Sequence, residues 1–371
     1  MPTALPRADD ERINWATSLP FLLFHAVPLF AFVTGITTKA VVICVVLYAV
    51  RIFAITAGYH RYFSHRSYRT SRAMQFVLAF VGTSALQQGP LWWAAHHRAH
   101  HRYSDTEADV HSPQKGFWWS HVGWFLSDKY NETDLDAVKD LAVFPELRFL
   151  DKHKYLAAVL LGTATFVVGG WSGLVVGFFA STILLWHGTF TINSLSHTFG
   201  SRRYATTDTS RNNPLLALIT FGEGWHNNHH HYQASARQGL YWWELDISWL
   251  VLRAMGGLRL VRDLRVPPPE TIAADRLRDG VFDLGMFRAA LRRAGRSIRL
   301  PKVSPLSTMA AAGTALAAKQ AAAEAAIHAK RVLLEEAFAA SMEAAEELTR
   351  TTRRSALGLF RNGPGSSSPQ P

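Results

Sequence analysis

Three histidine clusters carry the chemistry of this chain: His60 and His65 in HRYFSH, His97, His100 and His101 in HRAHH, and His226, His229 and His230 in HNNHH. With 17 histidines in 371 residues, an HxxHH pattern arises by chance about 0.04 times per chain, so two copies point to a metal site. On a helix, positions i, i+3 and i+4 share a face, and each HxxHH is expected to gather its three imidazoles at one locus. The HxxxxH pair lies about 140° apart around an ideal helix, which predicts a helix end running into a turn. Imidazole suits Fe, Zn, Cu or Ni, and eight such nitrogens exceed the sphere of one ion, so two metals are expected. Asn193 and His197, four residues apart at the end of an apolar run, form a further pair that a helix would turn to one side.

The elements that must position these residues are membrane helices. Mean hydropathy is close to zero, yet the apolar residues are bunched, as in an integral membrane protein with polar parts outside the bilayer. Four segments, residues 19–35, 40–57, 154–170 and 172–191, approach the roughly 17 to 25 residues that cross ~30 Å of hydrocarbon. A fifth apolar run, 73–89, separates the first box from the second. If it crossed, the two boxes would face opposite compartments, so it is expected to lie in or re-enter the interface, buried against protein. The tips at 34–39 and 170–173 hold only Lys39, whereas the segments carrying the boxes are rich in Lys and Arg, which places the clusters and both termini on the cytoplasmic side. Residues 1–18 show no secretory pattern. The single cysteine, Cys44, falls mid-span and excludes disulfides and Cys-ligated iron–sulfur or zinc sites.

In this order and spacing, HRYFSH, HRAHH with the following RYSDTEADVHSP, GFWWSHVGW, NSLSH and GEGWHNNHH resemble the membrane-bound stearoyl-CoA (delta-9 acyl-CoA) desaturase family, over residues 52–258. The resemblance implies an all-α integral membrane fold, with four transmembrane helices in two hairpins and a cytoplasmic helical cap holding a di-iron site. It also implies an enzyme that uses O2 and two electrons to place a cis double bond in a long saturated acyl chain. Carried over residue by residue, the two irons fall to His60, His65, His97, His100, His101, His197, His226, His229 and His230, with Asn193 acting through a water. Trp93 matches a tryptophan that lines a kinked acyl tunnel. An unactivated methylene needs a metal-based oxidant, which acid–base side chains do not supply. Asp105, Glu107, Asp109 and Glu223 are the acidic residues nearest the boxes, candidates to hold imidazoles from behind, and His111 and His121 have at most such supporting roles. His96 and His231 each adjoin a box histidine and would point about 100° away, so both stay outside the ligand set, His96 as a surface or carrier contact.

Departures from the family pattern fall on the carrier side. Ala95-His96 replace an Arg-Asp pair and Gln114-Lys115 replace an Arg pair. Acyl-CoA is the expected substrate, with Lys115 as a contact, and acyl carrier protein or a phospholipid acyl chain stays open. A ferredoxin-type or cytochrome b5-type donor with its reductase is expected to supply electrons, because the sequence has no His-Pro-Gly-Gly haem pattern. The chain divides into an N-terminal segment (1–18), a membrane domain (19–265), a basic Pro/Arg-rich linker (266–306), an Ala/Glu-rich helix (307–355) and a compositionally disordered tail (356–371). Residues 251–371 hold 19 Lys/Arg against 11 Asp/Glu, so +8 of the net +11 lies there. Such an arm suits membrane lipid headgroups or an acidic electron carrier, not nucleic acid. A histidine-box lipid or alkane hydroxylase shares the site chemistry. A metal transporter would instead place polar residues inside the spans.

Overall fold

Helices dominate the computed structural model, which describes residues 5 and 7–278; the linker beyond 278, the Ala/Glu-rich helix and the tail lie outside the described residues. Helix α1 (Trp15–Ala26) starts where the Asn14 side chain accepts from Ala16 N and Thr17 N, and it continues through Val27–Phe30 and Ala31–Thr34 to Gly35. Helix α2 (Thr38–Phe53), capped by Thr37, passes into a π-helical segment, Ala54–Ser64. Helix α3 (Arg72–Thr83) has 12 residues, about 18 Å, too short to cross ~30 Å of hydrocarbon. It buries Gln75, Leu78, Ala79, Gly82 and Thr83 and turns Phe76 and Val77 outward, as a run lying against protein should. Helices α4 (Pro90–Tyr103) and α5 (Pro145–Lys152) follow, then α6 (Leu156–Ser172), a π-helical segment (Gly173–Ala180) and α7 (Ser181–Ser194).

Among the described residues, three helical runs are long and apolar enough to cross a membrane: Trp15–Thr34, Thr38–Ser64 and Leu156–His197. The third has 42 residues, about 63 Å if straight and twice the hydrocarbon core. It does not run straight. Gly170 takes φ 62 and ψ −156, left-handed geometry that glycine adopts without a Cβ penalty. Beyond it the chain folds back, so that a Cβ on Gly173 would sit 2.5 Å from Thr165 O and one on Gly162 would touch Phe178. Sequence reading places a hairpin at this point, and the backbone has one.

The outward faces of these helices are apolar. Phe32 is 92% exposed and Val33 84%, with Leu23, Val45, Val159 and Val167 also exposed. A band of this kind is costly in water and natural against hydrocarbon. Inside, Ile52, Ile55, Tyr59, Phe63, Leu91, Leu185 and Trp186 form one core. The short helix α8 (His226–His231), helix α9 (Ile247–Gly257) and a two-stranded antiparallel ribbon, β1 (Arg69–Thr70) with β2 (Val261–Arg262), complete the part that carries the site.

Candidate metal centre and its apolar slot

Each box is held by a different local device. In HRYFSH it is the π-helical coil, whose hydrogen bonds span five residues, so that positions five apart stack on one face. His65 N donates to His60 O at 3.2 Å. The wider coil narrows the angular offset of an ideal α-helix, and it ends at Ser64 with His65 in the turn that follows, the helix end running into a turn that the spacing predicts. Between them, buried Arg61 donates through Nε and Nη2 to Glu223 and through Nη1 to Ala236 O, and Nη2 also lies 3.0 Å from Asp246.

HRAHH rides on α4, whose first turn is capped from a distance. Leu91 N and Trp92 N both donate to Asp151 Oδ1 of α5 at 3.0 Å. Gly89 leaves room for this, since a Cβ there would fall 2.1 Å from the same oxygen. In HNNHH the asparagines are the anchors. Asn227 Oδ1 accepts from Arg203 N and Tyr204 N at 2.7 and 2.8 Å, and Asn228 Oδ1 accepts from Asn212 Nδ2 at 2.7 Å while its Nδ2 reaches Glu244. A buried amide deprived of such partners costs about 1–3 kcal/mol.

The nine histidines collect into two adjacent groups: His60, His65, His97, His101 and His229 in one, and His100, His197, His226 and His230 in the other, with the ligand nitrogens of each group within 4.8 Å of one another. The expectation that each HxxHH keeps its three imidazoles together is therefore corrected. His97 and His101, one turn apart, enter the first group, and His100 enters the second; His226 and His230 enter the second, and His229 the first. The two boxes interlock because i+3 and i+4 diverge by about 100°, enough to reach two neighbouring centres.

In the first group Nε2 atoms lie edge to edge: His60–His229 3.0 Å, His229–His101 2.9 Å, His101–His97 3.0 Å and His97–His65 2.9 Å. In the second, His197 and His226 Nε2 are 3.0 Å apart, and buried His100 Nε2 and His230 Nε2 have no hydrogen-bond partner. Nitrogens bound at about 2.1 Å around one cation sit about 3.0 Å from their neighbours. The donor set therefore fits two metal ions, and an all-imidazole set suits iron among others.

Carboxylates fix the tautomers from behind. His100 Nδ1 faces Asp109 at 3.0 Å, His197 Nδ1 faces Asp105 at 3.2 Å, His230 Nδ1 faces Asp208 at 2.6 Å, and His60 Nδ1 is paired with Glu223. A proton held on Nδ1 leaves the Nε2 lone pair for a metal. Burial, followed by repulsion from neighbouring imidazoles, keeps His65, His97, His101, His226 and His229 well below the ordinary histidine range. Burial likewise pushes His230 down to about 4 despite Asp208. For His100 burial opposes charge, but Asp109 outweighs it and raises the pKa. Burial also opposes ionisation of Asp109 and Asp208, yet their histidine partners hold both below the usual carboxylate range.

Two connected spaces adjoin the imidazoles, about 690 and 460 Å³ with their open sides included, and Trp93, His97, Thr189 and Asn193 line both. Such volumes belong to small-molecule sites. Trp93 stacks on His97 with ring centroids 4.8 Å apart. His96 stacks on Trp92, bonds to Trp92 O and lines the slot, outside both imidazole groups. His231 stacks on Tyr204 and bonds to Thr271 O. His111 packs tilted against His100, whereas His121 bonds to Ser194 and His187. Lys115 is buried and donates to Glu11 Oε1 at 2.7 Å. Glu107 is exposed. Asp208, which sequence reasoning missed, has no motif around it; only the fold brings it to His230.

The chain is thus a helical membrane protein with two interlocked imidazole groups beside an apolar slot. Residues 37–261 match the family described as fatty acid desaturase, and the chain belongs to that family. It is 40% identical over 258 residues (69% of this chain, 95% of the relative) to an sn-1 stearoyl-lipid 9-desaturase of Anabaena variabilis. Over 271 residues it is 35% identical to an sn-2 palmitoyl-lipid 9-desaturase of Nostoc sp. (71% and 94% covered). Over 274 residues it is 37% identical to an acyl-CoA C20 Delta5-desaturase of Anemone leveillei (69% and 86% covered).

Proposed function

We propose that this desaturase places a delta-9 double bond in a saturated acyl chain esterified to a membrane lipid, at two irons held by the two imidazole groups. The observation that carries the reading is the slot that passes both groups at Trp93, His97 and Asn193. His60, His65, His97, His101 and His229 would hold one iron, and His100, His197, His226 and His230 the other, with Asn193 acting through a water. Bound iron with O2 supplies an oxidant able to attack an unactivated C–H bond. The balance is one O2, two protons and two electrons from an external donor for each desaturation, giving the alkene and two waters. Neutral imidazoles keep their lone pairs on the metals, buried carboxylates hold the Nδ1 protons, and Trp93 bends the chain so that one C–C bond is presented. The fold-back at Gly170 supports four spans in two hairpins, and the Lys/Arg-rich segments that carry the boxes support a cytoplasmic centre.

The carrier reading turns on Lys115. Its side chain is 2% exposed and its ammonium is paired with Glu11, so it has no free charge for a CoA phosphate, and two of the relatives above are named for lipid-borne chains. Acyl-CoA is the second reading, favoured by the Anemone relative. The test uses full-length protein in distearoyl-lipid vesicles with a ferredoxin-type donor and its reductase, followed by gas chromatography–mass spectrometry of the released chains. Loss of two hydrogens at the delta-9 position is expected. Addition of oxygen would mark a hydroxylase, and turnover confined to stearoyl-CoA would select the second reading.

A further inference from the structure

A cationic hollow lies behind the first imidazole group, on the outer side of the coil that carries His60 and His65. Tyr62, Arg66, Tyr68 and Arg69 line one wall and Arg262, Asp263 and Arg265, at and after β2, the other, around a space of about 980 Å³ with its open side included. Four guanidinium groups thus meet one lining carboxylate. Arg66 bonds to Asp140 at 2.9 Å, and Asp263 lies 3.6 Å from Arg69. Arg262 and Arg265 are exposed, and among the described residues neither side chain has a carboxylate partner.

This arrangement works against the stability of the ribbon. Arg69 and Arg262 stand directly opposite each other in the β1–β2 pairing, and like charges at cross-strand positions repel. Each strand has only two residues, so the ladder offers little to offset that repulsion. Arg66 takes φ 50, left-handed geometry that few residues with a side chain adopt, and its guanidinium lies over the Tyr62 ring at 5.4 Å. Cations gathered in a concavity focus the local field and attract an anionic partner.

The hollow is also joined to the centre. Arg66 directly follows His65 in the chain. Arg265 N donates to Ser67 O at 2.9 Å, and Ser67 donates through N and Oγ to Arg61 O at 2.9 and 2.8 Å. Arg61 in turn reaches Glu223, which pairs with His60 Nδ1. Covalent and hydrogen bonds therefore run without a gap from the hollow to two imidazoles of the first group. An electron delivered here meets bonded atoms all the way, and with one cysteine the sequence provides no iron–sulfur cluster of its own to relay it.

We propose that this hollow is the docking surface for an acidic one-electron carrier protein, with Arg262 and Arg265 as the contacts that steer it. The inference rests on the desaturase reading above. Two reduced carriers dock in turn, and each is oxidised by one electron; with one O2 and two protons they complete the balance already given. Arginine suits such a partner because its planar fork binds carboxylates in pairs. Electron-transfer encounters also need only small interfaces, below about 1,200 Å². Anionic lipid headgroups are the competing occupant, since Leu258 and Leu260 beside the ribbon are exposed. Against them stands the floor of the hollow, Tyr62 and Arg66, which belongs to the stretch of chain that holds the imidazoles.

The test compares full-length wild type, Arg262→Glu, Arg265→Glu and the double variant in distearoyl-lipid vesicles without anionic lipid. Lys39→Glu, exposed at the opposite end of α2, is the control for net charge. Turnover is followed against the concentration of a reduced, acidic ferredoxin-type donor, and product is also measured with dithionite as a protein-free reductant. At low salt the double variant should raise the KM for the donor about tenfold, because reversed contact charges slow encounter. The difference should shrink at about 1 M salt, where the Debye length is about 3 Å. The KM for lipid, the iron content, the dithionite-supported product and the Lys39→Glu kinetics should all match wild type, which a merely structural role for the two arginines would not allow. An unchanged donor KM in the double variant overturns the proposal, and so does an equal loss with dithionite. Lost binding to anionic vesicles with donor kinetics intact overturns it too and assigns the hollow to headgroups. A wild type that forms no alkene with either reductant would overturn instead the reading on which the proposal rests.

Discussion

The two imidazole groups are built from the same boxes and differ in what stands behind them. In the group of His100, His197, His226 and His230, three of the four Nδ1 atoms face a buried carboxylate, from Asp109, Asp105 and Asp208. In the group of five, among the described residues, only His60 has one, Glu223, and that carboxylate is shared with Arg61. A carboxylate behind an imidazole fixes its tautomer, raises its basicity and adds attraction for a cation. The second group is therefore preorganised by charge. The first relies on ligand number and on burial that keeps His65, His97, His101 and His229 neutral. Two centres of one reaction can thus be tuned separately, although every HxxHH serves both.

The largest effects should come from neighbours that serve different groups. His100→Ala and His101→Ala should each cut turnover more than 100-fold, beyond the effect of losing an outer partner, and lower iron from two per chain toward one. Metal analysis with turnover checks this, and two bound irons at normal turnover in either variant would end the assignment.

Outer carboxylates come next. Asp208→Asn and Glu223→Gln should each weaken iron retention about 10–100-fold, read by competition with a chelator. Glu223→Gln should have the greater effect, because the first group has no other carboxylate. Equal losses in the two variants would break the contrast drawn between the groups.

Trp93→Ala should keep both irons, since no nitrogen is removed, while lowering turnover about 10-fold and mixing double-bond positions through looser alignment. Mapping the products tests it; an unmixed profile at normal turnover would leave Trp93 no role in positioning.

Away from both groups, Lys115→Met should cost about 2 kcal/mol of stability by removing one charged hydrogen bond, since Glu11 keeps Tyr130 OH, Ala8 N and, at 3.6 Å, Lys129 Nζ. It should leave KM for the lipid unchanged. Thermal melts and kinetics separate the two effects, and a raised KM at normal stability would restore Lys115 as a carrier contact.

Much of this was legible in the sequence, because it depends on residue type and count. The histidines that line the centre, the apolar runs, the hairpin at Gly170 and the short run at 73–89 all follow from composition and period. The C-terminal elements expected beyond 278 lie outside the described residues and add nothing to this account. Tertiary structure decided the rest. Helical spacing says which side chains share a face, but not that two centres lie so close that i+3 and i+4 part company between them. Nor does it reveal that a π-helical coil brings His60 and His65 onto one side, because that coil depends on packing rather than on a local motif. Asp208 behind His230, Asp151 at the start of α4 and Glu11 on Lys115 are single carboxylates without a pattern. Their partners lie 22, 60 and 104 residues away, and contacts at such separations are set by the path of the chain through space, which local sequence does not encode.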